Sequence, residues 1–399
     1  MMDMIIKFIY WKEKLTLVIL LFLISISAFS QYLSPDAQIS IITFGPGRQE
    51  LYSSFGHSAI RVHDPANGFD AAYNYGTFDF NQPHFYLNFA RGYLVYKLSV
   101  QDFRRLKDYY ESNNRSITEQ VLNLTQQQQQ QVFNYLQHNA RPENANYYYD
   151  YFYDNCATKI GDVFVEALGD EFRFNDDFVD DPGLTIRTLT DRYSAVYFPW
   201  GKLGIDLCLG MPMDKHLTNK QYTFLPDYVF RAFSKAEINK NGHWEQVVST
   251  INKIYKAKNL ATTPPFFTPM VVFWAFWIVV LVGSIMARRK EFTLRWFDFS
   301  LFFILGLLGL FFLLLWFATD HAAAAWNLNL LWAWPTHLII AFYMLKKQKP
   351  RWVNWYLLCV SLLGILLLIL WPVLPQSLNY SLMGIVAVII TRAGYNILT

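Results

Sequence analysis

The segment Tyr151–Gly161, "YFYDNCATKIG", marks the point where an aromatic run gives way to a helical pattern. Apolar residues follow at helical spacing, and Gly169 ends the run. Either Asp154 or Asn155 can supply the N-cap, which places Cys156 in the first turn of the helix. The helix dipole and the unpaired backbone N–H groups there favour a thiolate, so we expect Cys156 to be a nucleophile.

The structural alternative is that Cys156 pairs with another thiol. The chain has only three cysteines. Cys208 could form a disulfide with Cys156, whereas Cys359 lies inside an apolar run. An isolated pair is weak support for a disulfide framework, and a free thiol in an exported domain calls for a function.

The composition divides the chain into two parts. It is 53% hydrophobic, 18% aromatic and 16% charged. Residues 31–265 hold most of the charge and indicate one globular domain, whereas residues 266–399 are dominated by Leu, Phe, Ile, Val and Trp and indicate a membrane domain. The net charge of +3, without a basic stripe, gives no indication of a nucleic-acid partner.

Residues 1–30 have the pattern of a signal peptide. Lysines flank the start, the apolar run "LTLVILLFLISISAFS" follows, and small residues precede Gln31. We expect cleavage after Ser30, with an uncleaved signal anchor as the alternative. In either case the domain that begins at Gln31 is delivered out of the cytoplasm.

The C-terminal part predicts an all-α membrane bundle of about five helices. The expected spans are about 266–287, 297–317, 328–345, 352–371 and 380–391. The first four can each cross a hydrocarbon core, and the fifth is short. The basic loops "ARRKEFTLR" and "KKQKPR" belong in the cytoplasm by the positive-inside rule, so the loop Ala318–Asn327 and the globular domain share the outer face.

Asp320 and His321 lie on that outer loop. An ionisable pair at a membrane edge is a candidate functional site, and we expect it to bind substrate. The alternative is a solvated loop end.

A thiol nucleophile needs a base, and one histidine stands out. His57 follows Gly56, begins a predicted strand and lies on the less apolar face of that strand. The other histidines of the globular domain read as turn, loop or helix-end residues: His63, His84, His138, His216 and His243. No Cys/His cluster has metal-ligand spacing, so we expect no metal and no cofactor.

The order of these motifs resembles known families. "FGHSAIRV" in a strand, followed later by "DNC" opening a helix, resembles the permuted papain-like fold of NlpC-type peptidases and of acyltransferases similar to lecithin:retinol acyltransferase. With "YNYGTFDF", "NR", "FLPDY" and the membrane half added, nearly the whole chain resembles the Lnb family of Bacteroidota. That resemblance implies an α+β permuted papain-like exported domain followed by the membrane bundle.

The resemblance also implies an activity and its residues. Lnb proteins are understood as lipoprotein N-acyltransferases of the inner membrane, multi-pass, with the catalytic domain in the periplasm. The implied donor is a membrane phospholipid, and the implied acceptor is the amine of a lipoprotein's N-terminal diacylglyceryl-cysteine. Cys156 matches the nucleophile and His57 the base. For the third, orienting group we choose Asn74, with Asp79 as second choice.

Two other functions stay open. A membrane-anchored cysteine peptidase or amidase acting on cell-wall peptides could use the same pair. A non-enzymatic transport or assembly component would make Cys156 incidental, although the few charges in the spans count against transport. The role of residues 175–265 is also open, since "WGKLGIDLCLG" and "FLPDYVFRAF" fit a membrane surface, a cover for the site or a core.

Overall fold

The computed structural model describes residues 32–78, 81–258 and 264–398. The predicted signal peptide and Asp79 lie outside these ranges. The described part has an α+β N-terminal half and a helical C-terminal half, so the coarse fold prediction is confirmed.

A seven-stranded antiparallel sheet forms the centre of the N-terminal half. The described part of this half has ten strands in two sheets: β1 (Gln38–Phe44), β2 (His57–Asp64), β3 (Phe69–Thr77), β4 (Val95–Asp102), β5 (Ile117–Leu122), β6 (Asn146–Tyr148), β7 (Phe172–Arg173), β8 (Glu237–Lys240), β9 (His243–Gln246) and β10 (Val248–Tyr255). The large sheet has the order β10–β5–β1–β2–β3–β4–β6, and β7–β8–β9 form a small second sheet. The central position therefore goes to β2, which carries His57.

Helices cover both faces of the large sheet. Those of this half are α1 (Phe85–Arg91), α2 (Phe103–Ser112), α3 (Gln126–Asn139), α4 (Cys156–Leu168), α5 (Ile186–Ser194), α6 (Pro199–Cys208), α7 (Asn219–Tyr222) and α8 (Pro226–Lys235). On one face, α3, α4 and α8 pack on Ile60, Val62 and Tyr73. On the other face, α2 packs on Phe44 and Ala59. Alternating side chains of β2 thus enter two separate cores.

The C-terminal half contains five α-helices among its described residues: α9 (Pro269–Arg289), α10 (Arg295–Phe317), α11 (His337–Met344), α12 (Arg351–Leu370) and α13 (Leu382–Leu398). Three of these segments are long and apolar enough to span a bilayer: α9, α10 and residues 351–373, which begin with α12. Helix α13 is also apolar but has only 17 residues. It is longer than the short segment expected at 380–391.

The segment expected to span at 328–345 is not one continuous helix. A 3₁₀ turn occupies Leu328–Leu331, and α11 has only eight residues. Pro335 lies between them; it has no amide hydrogen and disfavours helical geometry in the residue before it. The prediction of a full helix here is therefore corrected to a broken one.

One buried ion pair lies inside the helical bundle. The guanidinium of Arg392 donates to both carboxylate oxygens of Asp298, at 2.6 and 2.8 Å, and its third nitrogen donates to Ser284 at 2.7 Å. Both charged side chains are almost fully buried. Because each charge is paired, this cluster ties α9, α10 and α13 together.

Helix α6, within "WGKLGIDLCLG", joins the two halves. Leu203 is buried in the same apolar cluster as Trp332 and Trp371 of the C-terminal half, and the indole N–H of Trp200 donates to the carbonyl of Phe267 at 2.8 Å. The other open segment, which contains α8, lies in the core of the N-terminal half. Of these two segments, α6 contacts the membrane domain and α8 belongs to the core.

A buried polar network, which we call the junction network, surrounds Asp206 on α6. Arg187 and Lys202 each donate to its carboxylate at 2.7 Å, and the amide of Asn379 does so at 2.8 Å. Arg187 also donates through Nε to both oxygens of Asp214 at 3.0 Å. Two cations of the N-terminal half and one amide of the C-terminal half therefore bond one buried carboxylate.

Two glycines allow the halves to meet backbone to backbone. At Gly210 a Cβ atom would overlap the carbonyl of Ala325. At Gly92, which has a φ of +85°, a Cβ would lie 3.0 Å from backbone atoms of Asp320 and His321. A side chain at either position would push the halves apart.

Candidate active site

Helix α4 begins with a capping box. The side-chain oxygen of Asn155 accepts from the amides of Ala157 and Thr158 at 2.8 and 3.0 Å, and the Thr158 hydroxyl accepts from the Asn155 amide at 2.8 Å. The Asn155 side chain also donates to the carbonyl of Phe224 at 2.8 Å, which anchors the helix end. The prediction that Cys156 lies in the first turn is confirmed, with Asn155 as the N-cap.

Cys156 is a free thiol, and so are Cys208 and Cys359. The backbone amides of Ser58, Ala157 and Cys156 itself donate toward its sulfur, as does the hydroxyl of Tyr149. Ser58 directly follows His57, so the sulfur lies next to the start of β2. The pairing of Cys156 with Cys208 that the sequence left open does not occur.

A glycine opens the space in front of the sulfur. Gly76 of β3 has a φ of +84°, and a Cβ atom there would lie 3.1 Å from the Cβ of Cys156. The pairing of β3 with β4 shifts register between Asn74 and Thr77, which is typical of a bulge. The bulge therefore lets the head of α4 approach the sheet.

His57 and Asn74 form a pair across β2 and β3. The Nε2 atom of His57 lies 2.6 Å from Oδ1 of Asn74. Since an amide oxygen only accepts, Nε2 carries the proton and Nδ1 keeps a lone pair. The imidazole also stacks on the ring of Phe44, with centroids 6.0 Å apart, which restricts its orientation. This tautomer is the one that a general base needs.

Burial decides the charge state of the site. It raises the pKa of the Cys156 thiol to about 11, although the surrounding amide donors oppose this. It lowers the pKa of His57 to about 4, against the hydrogen bond that His57 donates to Asn74 and together with the charge of Arg115. The expectation of a resting thiolate is therefore corrected: at neutral pH the pair is a thiol and a neutral imidazole, because desolvation outweighs the helix terminus.

Aromatic rings run from the sulfur to the surface. The ring of Tyr149, whose hydroxyl donates toward Cys156, stacks on Tyr96 at 4.1 Å between centroids. Tyr96 lies 5.2 Å from Phe78, and Phe78 lies 6.2 Å from Phe85, the first residue of α1. We call these four rings the aromatic row.

Helix α1 exposes large apolar side chains next to the membrane domain. Tyr86, Leu87 and Phe89 are 77%, 56% and 43% exposed. Nε2 of His321 lies 3.0 Å from the backbone carbonyl oxygen of Phe89. The backbone amide of Asp320 donates to the backbone carbonyl of Arg91 at 2.8 Å. No hydrogen bond among the described residues joins Asp320 or His321 to Cys156, His57 or Asn74. Their expected substrate-binding role stays a prediction.

Sequence reasoning missed two residues of this site. Tyr149 is hidden in the aromatic run before Cys156. Arg115 appeared only as part of the motif "NR", yet its charge acts on His57. Neither has a sequence signal of its own, because both reach the site through pairing of distant strands. In the ranges that the structure describes, no cluster of three or more potential metal ligands occurs.

Comparisons with known proteins cover both halves. Residues 29–192 match the family model of the Lnb N-terminal periplasmic domain, and residues 261–399 match that of the Lnb transmembrane domain. No curated protein and no solved structure matches the chain. Because the two family matches together cover most of the sequence in the expected order, the chain belongs to the Lnb family, as a membrane protein with a periplasmic N-terminal domain.

Proposed function

We propose that this protein is a cysteine-dependent lipoprotein N-acyltransferase. It takes a fatty acyl group from a phospholipid of the inner membrane and transfers it to the N-terminal amine of a diacylglyceryl-cysteine lipoprotein. Family membership supports a lipoprotein-processing membrane enzyme. The finer chemistry rests on one observation: a free thiol at a helix head faces the backbone amide of Ser58, and the preceding residue, His57, has its Nε2 held by Asn74.

In the first step Cys156 attacks an ester carbonyl of the phospholipid. Nδ1 of His57 takes the thiol proton as the S–C bond forms, which is required because the resting thiol is protonated. The amides of Ser58 and Ala157 stabilise the developing oxyanion. The C–O bond then breaks, His57 returns the proton to the leaving alkoxide, and a lysophospholipid departs from an acyl-thioester.

In the second step the lipoprotein amine attacks the thioester. His57 accepts a proton from the nitrogen, the C–S bond breaks, and the proton passes to the sulfur. The products are an amide and the original thiol. Two easier transfers replace one difficult step.

The surroundings of the thiol suit lipid substrates. The aromatic row leads from Cys156 to α1, whose exposed Tyr86, Leu87 and Phe89 lie beside the outer loop of the membrane domain. Tyr is enriched at membrane–water interfaces, and Leu and Phe are typical of the apolar face of helices that lie on a membrane. An acyl chain could follow the rings from the bilayer to the sulfur, and exclusion of water there would protect the thioester from hydrolysis.

The test is the acylation state of lipoproteins in cells that depend on this protein. We expect Cys156→Ala to leave only diacylated N-termini in mass spectra, while Cys359→Ala, a change at an exposed free thiol, leaves them triacylated. A labelled acyl group that hydroxylamine releases from Cys156 would report the thioester. Unchanged triacyl lipoproteins in Cys156→Ala cells would overturn the proposal, and altered cell-wall fragments in their place would favour the peptidase or amidase.

A further inference from the structure

Arg115 is a buried cation beside the candidate site. It lies between α2 and β5, and its side chain is 7% exposed. Its Nε donates to the carbonyl of Gly45 at 2.8 Å, and its guanidinium lies over the ring of Tyr110, 4.5 Å from the centroid. Its Nη2 atom is buried and has no hydrogen-bond partner in the part of the chain that the structure describes.

This arrangement is costly for the folded protein. A guanidinium stays charged in proteins, and a buried charge without a partner is destabilising. Within the described ranges no carboxylate forms an ion pair with Arg115. The groups that act on its charge are the phenols of Tyr110, Tyr109 and Tyr52 and the thiol of Cys156, none of which is a carboxylate. A ligand with a negative charge would supply the missing partner.

Arg115 lies near the reacting groups but does not contact them. Its guanidinium lies 4.5 Å from the centroid of the Tyr110 ring, and the imidazole of His57 stacks on the same ring at 6.4 Å. The charge of Arg115 lowers the pKa of His57, and a thiolate at Cys156 would raise the pKa of Arg115. Among the described contacts, no hydrogen bond joins Arg115 to either residue. In the proposed mechanism the backbone amides of Ser58 and Ala157 bind the carbonyl oxygen of the ester under attack, so Arg115 is available to a more distant part of the substrate.

We propose that Arg115 binds the phosphate of the phospholipid acyl donor. This inference rests on the proposed function and names the group that distinguishes the donor. A phosphate is separated from its ester carbonyl by only a few bonds of the glycerol backbone. A guanidinium matches phosphate geometry and forms charge-assisted hydrogen bonds to it. The same contact would place the carbonyl at Cys156 and would discriminate against neutral lipids.

The first test does not need acyl transfer. The purified full chain with Cys208 and Cys359 changed to Ser is alkylated at Cys156 with iodoacetamide, with sn-glycerol 3-phosphate, inorganic phosphate or glycerol present. We expect glycerol 3-phosphate to slow alkylation of the Arg115 protein and to protect Arg115→Met about 10–100-fold less effectively. Arg104→Met, a change on exposed α2 surface, serves as the matched control.

Equal protection of the Arg115 and Arg115→Met proteins, or none in the Arg115 protein, overturns the phosphate site. Inorganic phosphate that protects better than glycerol 3-phosphate overturns its assignment to a lipid. If Arg115→Met does not accumulate, Arg115→Lys replaces it, because lysine retains the charge without the planar fork of the guanidinium. We expect intermediate protection of this variant by glycerol 3-phosphate. Protection equal to that of the Arg115 protein would show that the fork is not used.

The second test compares donors. Single-turnover formation of the Cys156 thioester is measured with vesicles in which the labelled donor is phosphatidylglycerol or diacylglycerol. We expect Arg115→Met to lose about 10–100-fold with the phospholipid and less than about threefold with diacylglycerol. Equal losses with both donors overturn the proposal. Failure of both donors with the natural Arg115 would contradict the acyltransferase function, and the alkylation test would still report on the phosphate site.

Discussion

Two buried arginines differ in how their hydrogen-bonding capacity is used. Arg187, in the junction network, bonds two carboxylates through Nε and Nη1 and two backbone carbonyls through Nη2. Arg115, beside Cys156, leaves Nη2 without a partner in the described structure. The comparison separates a polar cluster that holds the fold together from one that awaits a ligand, since native structures rarely leave buried polar atoms unpaired without a reason.

The same difference extends to neighbouring groups. The hydroxyl of Ser58, whose amide faces the sulfur, is also buried without a partner, whereas none of the unpartnered buried atoms of the described chain belongs to the junction network. Saturated contacts make the junction rigid. Unsaturated ones leave the site ready to exchange protons and bind charge.

The largest expected effect comes from removing the central carboxylate of the junction network. Asp206→Ala leaves Arg187 and Lys202 without a carboxylate that both contact. We expect a loss of about 3 kcal/mol in the free energy of unfolding, because a buried ion pair is broken while Arg187 keeps Asp214 and Lys202 keeps Asp191. Unfolding of the purified protein in detergent measures this loss.

The matched control is Asp181→Ala, which removes an exposed partner of Arg192 and should cost about 0–1 kcal/mol. Similar small losses in both variants would contradict the difference between the junction and the surface.

The second prediction concerns the charge state of the Cys156 thiol in the candidate active site. With the pKa of Cys156 near 11, alkylation of Cys156 should be roughly 100-fold slower at pH 7 than that of an exposed thiol. The rate should rise about tenfold with each pH step of one, because only the thiolate reacts. Rates from pH 6 to 10, in protein with Cys208 and Cys359 changed to Ser, test this. A plateau near pH 7 would indicate a preformed thiolate–imidazolium pair.

The third prediction concerns Asn74, the hydrogen-bond partner of His57. Asn74→Ala removes the oxygen that orients His57, and we expect thioester formation to fall about 10–100-fold. Since that hydrogen bond raises the pKa of His57, its loss should shift the acid limb of the pH–rate profile to lower pH. Asn74→Asp places a carboxylate there, favours the imidazolium and should shift the limb to higher pH.

The control for this position is Asn134→Ala on the exposed face of α3, which should leave rate and profile unchanged. An unaltered acid limb in both Asn74 variants would show that Asn74 does not position His57.

The smallest effect separates Asp320 from His321. His321 contacts α1 through its side chain, whereas Asp320 does so through its backbone amide. We therefore expect His321→Ala to slow acyl transfer from vesicles about 2–10-fold, as for one hydrogen bond, and Asp320→Ala to have no effect. Full activity in the double variant would assign both residues to an ordinary loop end.

Local features of the fold were predictable from the sequence, whereas long-range ones were not. The cap at Asn155 and the apolar spacing after Cys156 specify α4 by local chemistry. The break in the third membrane segment was also readable, since Pro335 stands in its middle. The membership of Arg115 in the site was not, because it depends on the pairing of β1 with β5. The high pKa of Cys156 was not predictable for the same reason. The position of a residue in a helix follows from the local sequence, whereas its desolvation depends on tertiary packing.

The side-chain-free contacts at Gly210 and Gly92 have a consequence for turnover. They join the periplasmic half to the bundle at two separate points, which fixes the position of the sulfur relative to the helices of the bundle. For the acyltransferase proposed above, this geometry would require the lipid substrates to reach the sulfur by lateral diffusion in the membrane. Its throughput should then follow the fluidity of the surrounding leaflet, and a lipoprotein whose amine sits at another depth would pass by unmodified.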